Sequence, residues 1–77
     1  MRHIVLDSSV IESAGYNLTD MLLEIKFKSG DTYRYVNVDP MVYLRLLEAA
    51  NPSTFFNNTI RGGYVSHRLY PTNGAQL

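Results

Sequence analysis

The chain has 77 residues, 45% of them hydrophobic and 18% charged, with no cysteine and a formal net charge of zero. That length suits one domain, and the composition excludes disulfides and thiolate metal sites. The apolar runs are too short to span a membrane, and the charge is too low for the broad positive field of a non-specific nucleic-acid binder. All seven acids lie between Asp7 and Glu48, so the stretch from Ala49 to Leu77 holds Arg61, His67 and Arg68 and no carboxylate. Two arginines in such a segment suit one small anion, or a phosphate or two. The opening residues reach Asp7 too early for a secretory signal, which implies a cytoplasmic location.

Ser9 to Tyr16 reads as a first extended segment, closed by turn chemistry at Asn17-Leu18-Thr19-Asp20. Met21 to Lys28 alternates, with Leu23, Ile25 and Phe27 on one face. Ser29-Gly30-Asp31 breaks it, and Thr32 to Val38 follows as a third strand rich in aromatic and β-branched residues. A two-residue loop between these strands would set Arg34 opposite Ile25, on the apolar face. A three-residue loop, Lys28-Ser29-Gly30 with a left-handed Gly30, opposes Ile25 to Tyr33 and Leu23 to Tyr35 and gives one apolar–aromatic face. The second register is the expected one.

Asp39-Pro40 is a helix start, with Asp39 capping and Pro40 at the first helical position. The spacing predicts a helix to Ala50 with Val42, Tyr43, Leu46, Leu47 and Ala50 on one stripe. Asn51-Pro52 ends it, and Ser53 is expected to cap a second helix through about Ile60, with Phe56 and Ile60 adjacent at i, i+4. Gly62 or Gly63 then supplies a left-handed stop. Tyr64 to Tyr70 reads as a last short strand. The expected fold is α+β: a three- to four-stranded antiparallel meander with two short C-terminal helices packed on one face. Residues 1–70 form a single domain and 71–77 a flexible tail.

His3 and His67 lie near opposite ends of the described pattern and no HExxH spacing occurs, so neither metal nor cofactor is expected. No nucleophile stands in a catalytic motif, and the chain is expected not to be an enzyme. Arg61-Gly62-Gly63 has two readings: backbone N–H groups and a guanidinium cradling a phosphate, or glycines that only stop the helix. The six tyrosines are the most distinctive feature. Tyr33 and Tyr35 share a strand face, either as a stacking platform for a base or, the favoured reading, with rings packed under the helices and hydroxyls reaching water.

The hairpin Leu23 to Tyr35, with Tyr33-Arg34-Tyr35 at its centre, resembles the core of the KTSC domain and its Y-x-Y signature. Ser8-Ser9, Gly15-Tyr16, Val38-Asp39-Pro40, Val42-Tyr43, Phe56-Asn57, Ile60-Arg61 and Tyr64 are similar to the flanking parts of that family. Asp39 between Val38 and Pro40, and Asn51-Pro52-Ser53, depart from its pattern. The resemblance implies a non-enzymatic domain, with RNA binding suggested by the family's occurrence at the C-terminus of some lysyl-tRNA synthetases. Two functions follow as expectations. One is a binding protein for a small nucleotide-like or phosphorylated ligand, sequestering a nucleotide signal as a homo-oligomer whose interfaces cover apolar residues such as Leu22 and Leu44. The other is an RNA-binding module using exposed tyrosines with Arg34, Arg61 and Arg68 on phosphates. The candidate ligand-binding residues are Arg61, Gly62, Gly63, Asn57, Tyr33, Tyr35, Tyr64 and Arg68.

Overall fold

The computed structural model describes residues 1–69, so Tyr70 and the expected tail at 71–77 lie outside the described residues. Five strands run in chain order across one antiparallel sheet: β1 (His3–Val5), β2 (Ile11–Asn17), β3 (Leu22–Phe27), β4 (Thr32–Tyr35) and β5 (Ser66–Leu69). Between β4 and β5 the chain leaves the sheet for α1 (Pro40–Glu48), α2 (Pro52–Phe55) and a π-helical turn (Phe56–Ile60) that continues α2.

The β3–β4 hairpin has the register that keeps arginine off the apolar face: Leu23 opposes Tyr35 and Ile25 opposes Tyr33. Gly30 sits at φ +104, and the Phe27 N–H donates to the Asp31 carbonyl at 2.8 Å to close the loop. β4 ends at Tyr35, three residues before the expected Val38. Asn37 takes a left-handed φ of 59 there, and the Val38 N–H turns to the Met21 carbonyl at 2.9 Å.

The Asp39 carboxylate accepts from the Met41 N–H at 2.8 Å, so α1 starts as its Asp-Pro pair predicts. It stops at Glu48, leaving Ala50 exposed and outside the stripe. The second helix is capped by Asn51, not by Ser53. Pro52 occupies the first helical position, which makes the residue before it the cap, and the Asn51 Oδ1 accepts from the Thr54 N–H at 3.2 Å.

Strand β1 extends the expected meander to five strands. It is three residues long and pairs Ile4 with Ala14 and Val5 with Ser13. Ile11, Leu23, Ile25, Val38, Leu46 and Ile60 are fully buried between the sheet and the helices. Val42, Tyr43 and Leu47 pack against them from the partly buried flank of α1. The helices therefore cover one face of the sheet and leave the other open.

Candidate functional site

Because side chains alternate along a strand, Tyr33 and Tyr35 project to the helix-covered side of β4. β5 lays Arg68 opposite Tyr33 and Ser66 opposite Tyr35. The helical segment covers the middle of the sheet but not all of this β4–β5 corner. A cleft of about 440 Å³ remains between the corner and the π-helical turn. That volume lies within the range of small-molecule sites.

One wall is aromatic. Phe27 meets Tyr33 edge-on at 6.0 Å between ring centroids and Phe56 at 5.4 Å, while Phe56 also meets Tyr35 at 5.7 Å. The other wall is polar, with Asn57, Arg61 and Gly62 from the π-helical turn and the loop after it. The turn sets this wall: the Arg61 N–H donates five residues back to the Phe56 carbonyl at 2.9 Å, which rotates Arg61 relative to a regular α-helix. Val10, Ser29, Asp31, Ser53 and Ser66 complete the rim.

Tyr35 is 6% exposed, so its ring belongs to the core as the packing argument expected. Burial first, and then the neighbouring Tyr33, push its hydroxyl up to about 12, against the pull of Arg61. The Tyr35 hydroxyl therefore keeps its proton at any physiological pH and can donate it. Tyr33 is only partly buried and lines the cleft.

Five of the eight candidate residues, Arg61, Gly62, Asn57, Tyr33 and Tyr35, line this one cleft. The other three do not. Tyr64 packs against the core. Arg68 stands on the cleft side of β5, with its guanidinium 2.8 Å from the Asp31 carboxylate. Gly63 cannot serve as an open phosphate donor, because its N–H is bonded to the Ile60 carbonyl at 3.0 Å. Gly62 is the residue with the left-handed φ, at +78. Of the three loop residues, Gly62 is the one whose N–H makes no backbone bond within the described residues. Phe27, Phe56 and Asp31 were not among the candidates. The alternation of β3 and the Phe56–Ile60 spacing carried a signal for the first two. The Asp31–Arg68 pair spans 37 positions, and no local pattern reveals it.

The open face of the sheet carries a different arrangement. One row crosses all five strands: His3, Gly15, Glu24, Arg34 and His67. His3 Nδ1 lies 2.8 Å from the Ser13 hydroxyl and its Nε2 2.9 Å from Glu24 Oε1. Arg34 donates to the other carboxylate oxygen at 2.8 Å. Burial tends to raise the Glu24 pKa, but hydrogen bonds from Arg34 and His3, and their charges, outweigh it and hold the carboxyl below its ordinary range. Ser13 is 6% exposed. This chain of bonds therefore straps β1 to the sheet and does not present its hydroxyl to a substrate.

The comparisons agree with this architecture. The KTSC domain model matches residues 7–64. An uncharacterized protein of Stutzerimonas stutzeri is 39% identical over 61 residues, covering 79% of this chain and 86% of that one. A protein of Tsukamurella paurometabola is 38% identical over 56 residues, covering 73% and 84%. The crystal structure of a KTSC domain protein from Yersinia pestis superimposes with a TM-score of 0.85 at 28% identity, over 90% of this chain and 97% of that one. The fold is thus that of a small α+β domain with a meander sheet and one helical layer. The chain belongs to the KTSC domain family.

Proposed function

We propose that this protein binds a small nucleotide-like or phosphorylated ligand in the cleft between the β4–β5 corner and the π-helical turn, without transforming it. The observation that carries this reading is Arg61. It borders an aromatic wall, and among the described residues its guanidinium has no hydrogen-bond or ion-pair partner, whereas Arg34 is matched by Glu24 and Arg68 by Asp31. A guanidinium fork with a neighbouring amide, Asn57, and a Gly62 N–H is a donor set suited to phosphate oxygens. The rings of Tyr33, Phe27 and Phe56 supply an apolar surface for a base. Both histidines stand on the open face, away from the cleft, which favours binding over acid–base chemistry there. The cleft is formed within one protomer, so the site does not require a subunit interface.

RNA binding has the family's synthetase context behind it. The charge pattern favours the smaller ligand, because two of the three arginines that the RNA reading sets on phosphates, Arg34 and Arg68, already hold carboxylates. The test is isothermal titration, at low and moderate salt, against nucleotides and against short single-stranded RNAs. The expected result is saturable 1:1 binding of a small nucleotide, changed little by salt, and weakened about tenfold or more in Arg61→Ala. Binding to RNA alone, collapsing as salt rises, would replace this reading with the RNA module.

A further inference from the structure

The distribution of charge along the cleft goes further than the presence of a site. Its Arg61 end lies beside Tyr35, the residue whose hydroxyl feels the Arg61 charge. Its other end is bordered by Asp31, which immediately precedes β4 and lies four residues before Tyr35. Extended chain rises about 3.3 Å per residue, so the Tyr35 and Asp31 backbones are about 13 Å apart. Arg68 lies across from Tyr33 between them, with its guanidinium drawn to Asp31 at 2.8 Å. The far end of the cleft is therefore occupied by a carboxylate whose matching cation is already committed. Among the described residues that line the cleft, Arg61 is the cation left to receive an anion, with an aromatic floor leading away from it.

On the reading that this cleft binds a phosphorylated ligand, we infer that it selects a molecule with one aromatic ring and a single phosphoryl group, a nucleoside monophosphate in class, and rejects diphosphates and triphosphates. A monophosphate places its two or fewer charges on Arg61, Asn57 and the Gly62 N–H and lays its ring along Tyr33. A polyphosphate seated on Arg61 by its terminal phosphoryl group brings its further charge along Tyr33 toward Asp31, and one seated by its first leaves the rest with no cation among the described residues lining the cleft to receive it. Asp31 holds the neighbouring guanidinium, Arg68, that could meet such charge, which makes Asp31 a specificity residue. The Asp31–Arg68 pair is solvent-exposed, with 44% and 53% of the two side chains accessible, so Asp31 can be changed without disturbing the core.

The experiment is titration of the full chain with the 5′-monophosphates of the four common ribonucleosides and with the corresponding triphosphates. It is run in chelator, so that no divalent cation screens the phosphates, on wild type, Arg61→Ala and Asp31→Asn. The expected result is a monophosphate that binds about tenfold or more tighter than its triphosphate. Asp31→Asn should narrow that ratio by strengthening triphosphate binding, and Arg61→Ala should abolish both. Triphosphate binding as tight as monophosphate binding, with both still lost in Arg61→Ala, overturns the selectivity and leaves the site standing. No binding in either panel, or monophosphate binding indifferent to Arg61→Ala, overturns the site and the inference together.

Discussion

A Cβ built on Gly15 would lie 2.7 Å from His3 Cδ2 and 2.8 Å from the Arg2 carbonyl oxygen. His3 reaches Glu24 by passing over β2 where it has no side chain, so the glycine is required by this approach and not by its backbone angles. Gly15→Ala is expected to destabilise the protein by about 1–3 kcal/mol, read by urea denaturation. Adding His3→Ala should recover only part of that loss, since the Arg2 carbonyl is backbone and remains in the way. Full recovery would locate the whole clash in the imidazole. Glu24 makes a second residue-scale prediction. Its carboxyl in the folded protein lies below the ordinary value of 4.5, so its contribution to stability is present above that value and lost as pH falls through the folded one. Glu24→Gln should therefore weaken the protein near neutrality and flatten its acid limb. An unchanged acid slope would assign the acid transition to other carboxylates. In sequence terms the Gly15-Tyr16 pair was visible, but its reason was not, because His3 comes from a strand too short to be recognised by alternation.

The elements divide by how local their causes are. The β3–β4 register was legible because parity allowed only one loop length to keep Arg34 away from Ile25. The start of α1 was legible because Asp39-Pro40 combines a cap and a first-turn proline in adjacent positions. The start of α2 offered the same signal at Asn51-Pro52, in competition with Ser53 one residue beyond. The residue before proline is held extended, at φ −130 for Asn51, and this geometry favours the cap that the structure has. Asn51→Ala is accordingly expected to cost about 1 kcal/mol in chemical denaturation. Ser53→Ala should cost less, since it removes only the hydroxyl's bond to Asn51 Oδ1. The reverse order would contradict this assignment of the cap. The π-helical turn could not be read from the sequence, because Phe56 and Ile60 are both buried whether the turn is α or π. What distinguishes it is the bond from the Arg61 N–H to the Phe56 carbonyl, and that bond is what sets the polar wall of the cleft.

At the scale of the whole molecule, the site depends on a closure that no local pattern encodes. β5 returns from the helical excursion to pair with β4, bringing Ser66 and Arg68 beside Tyr35 and Tyr33. The helical layer meanwhile stops short of that corner. Residue type and strand parity singled out Arg61, Asn57, Gly62, Tyr33 and Tyr35, which line the cleft, while Gly63, whose N–H is spent within the turn, does not line it. The same topology sends the charged row of His3, Glu24 and Arg34 to the opposite face, where its charges satisfy one another. The sheet thus separates a strap from a cleft, and the two faces make different predictions about where a ligand acts. The most direct measurement is amide chemical-shift mapping of the full chain during titration with a nucleoside monophosphate. Saturable shifts at Asn57, Arg61, Gly62 and Ser66, with Glu24 and Lys26 unmoved, are the predicted result. Shifts confined to the open face around His3, Glu24 and Lys26, or none at saturating ligand, would contradict the assignment of the cleft as the binding site.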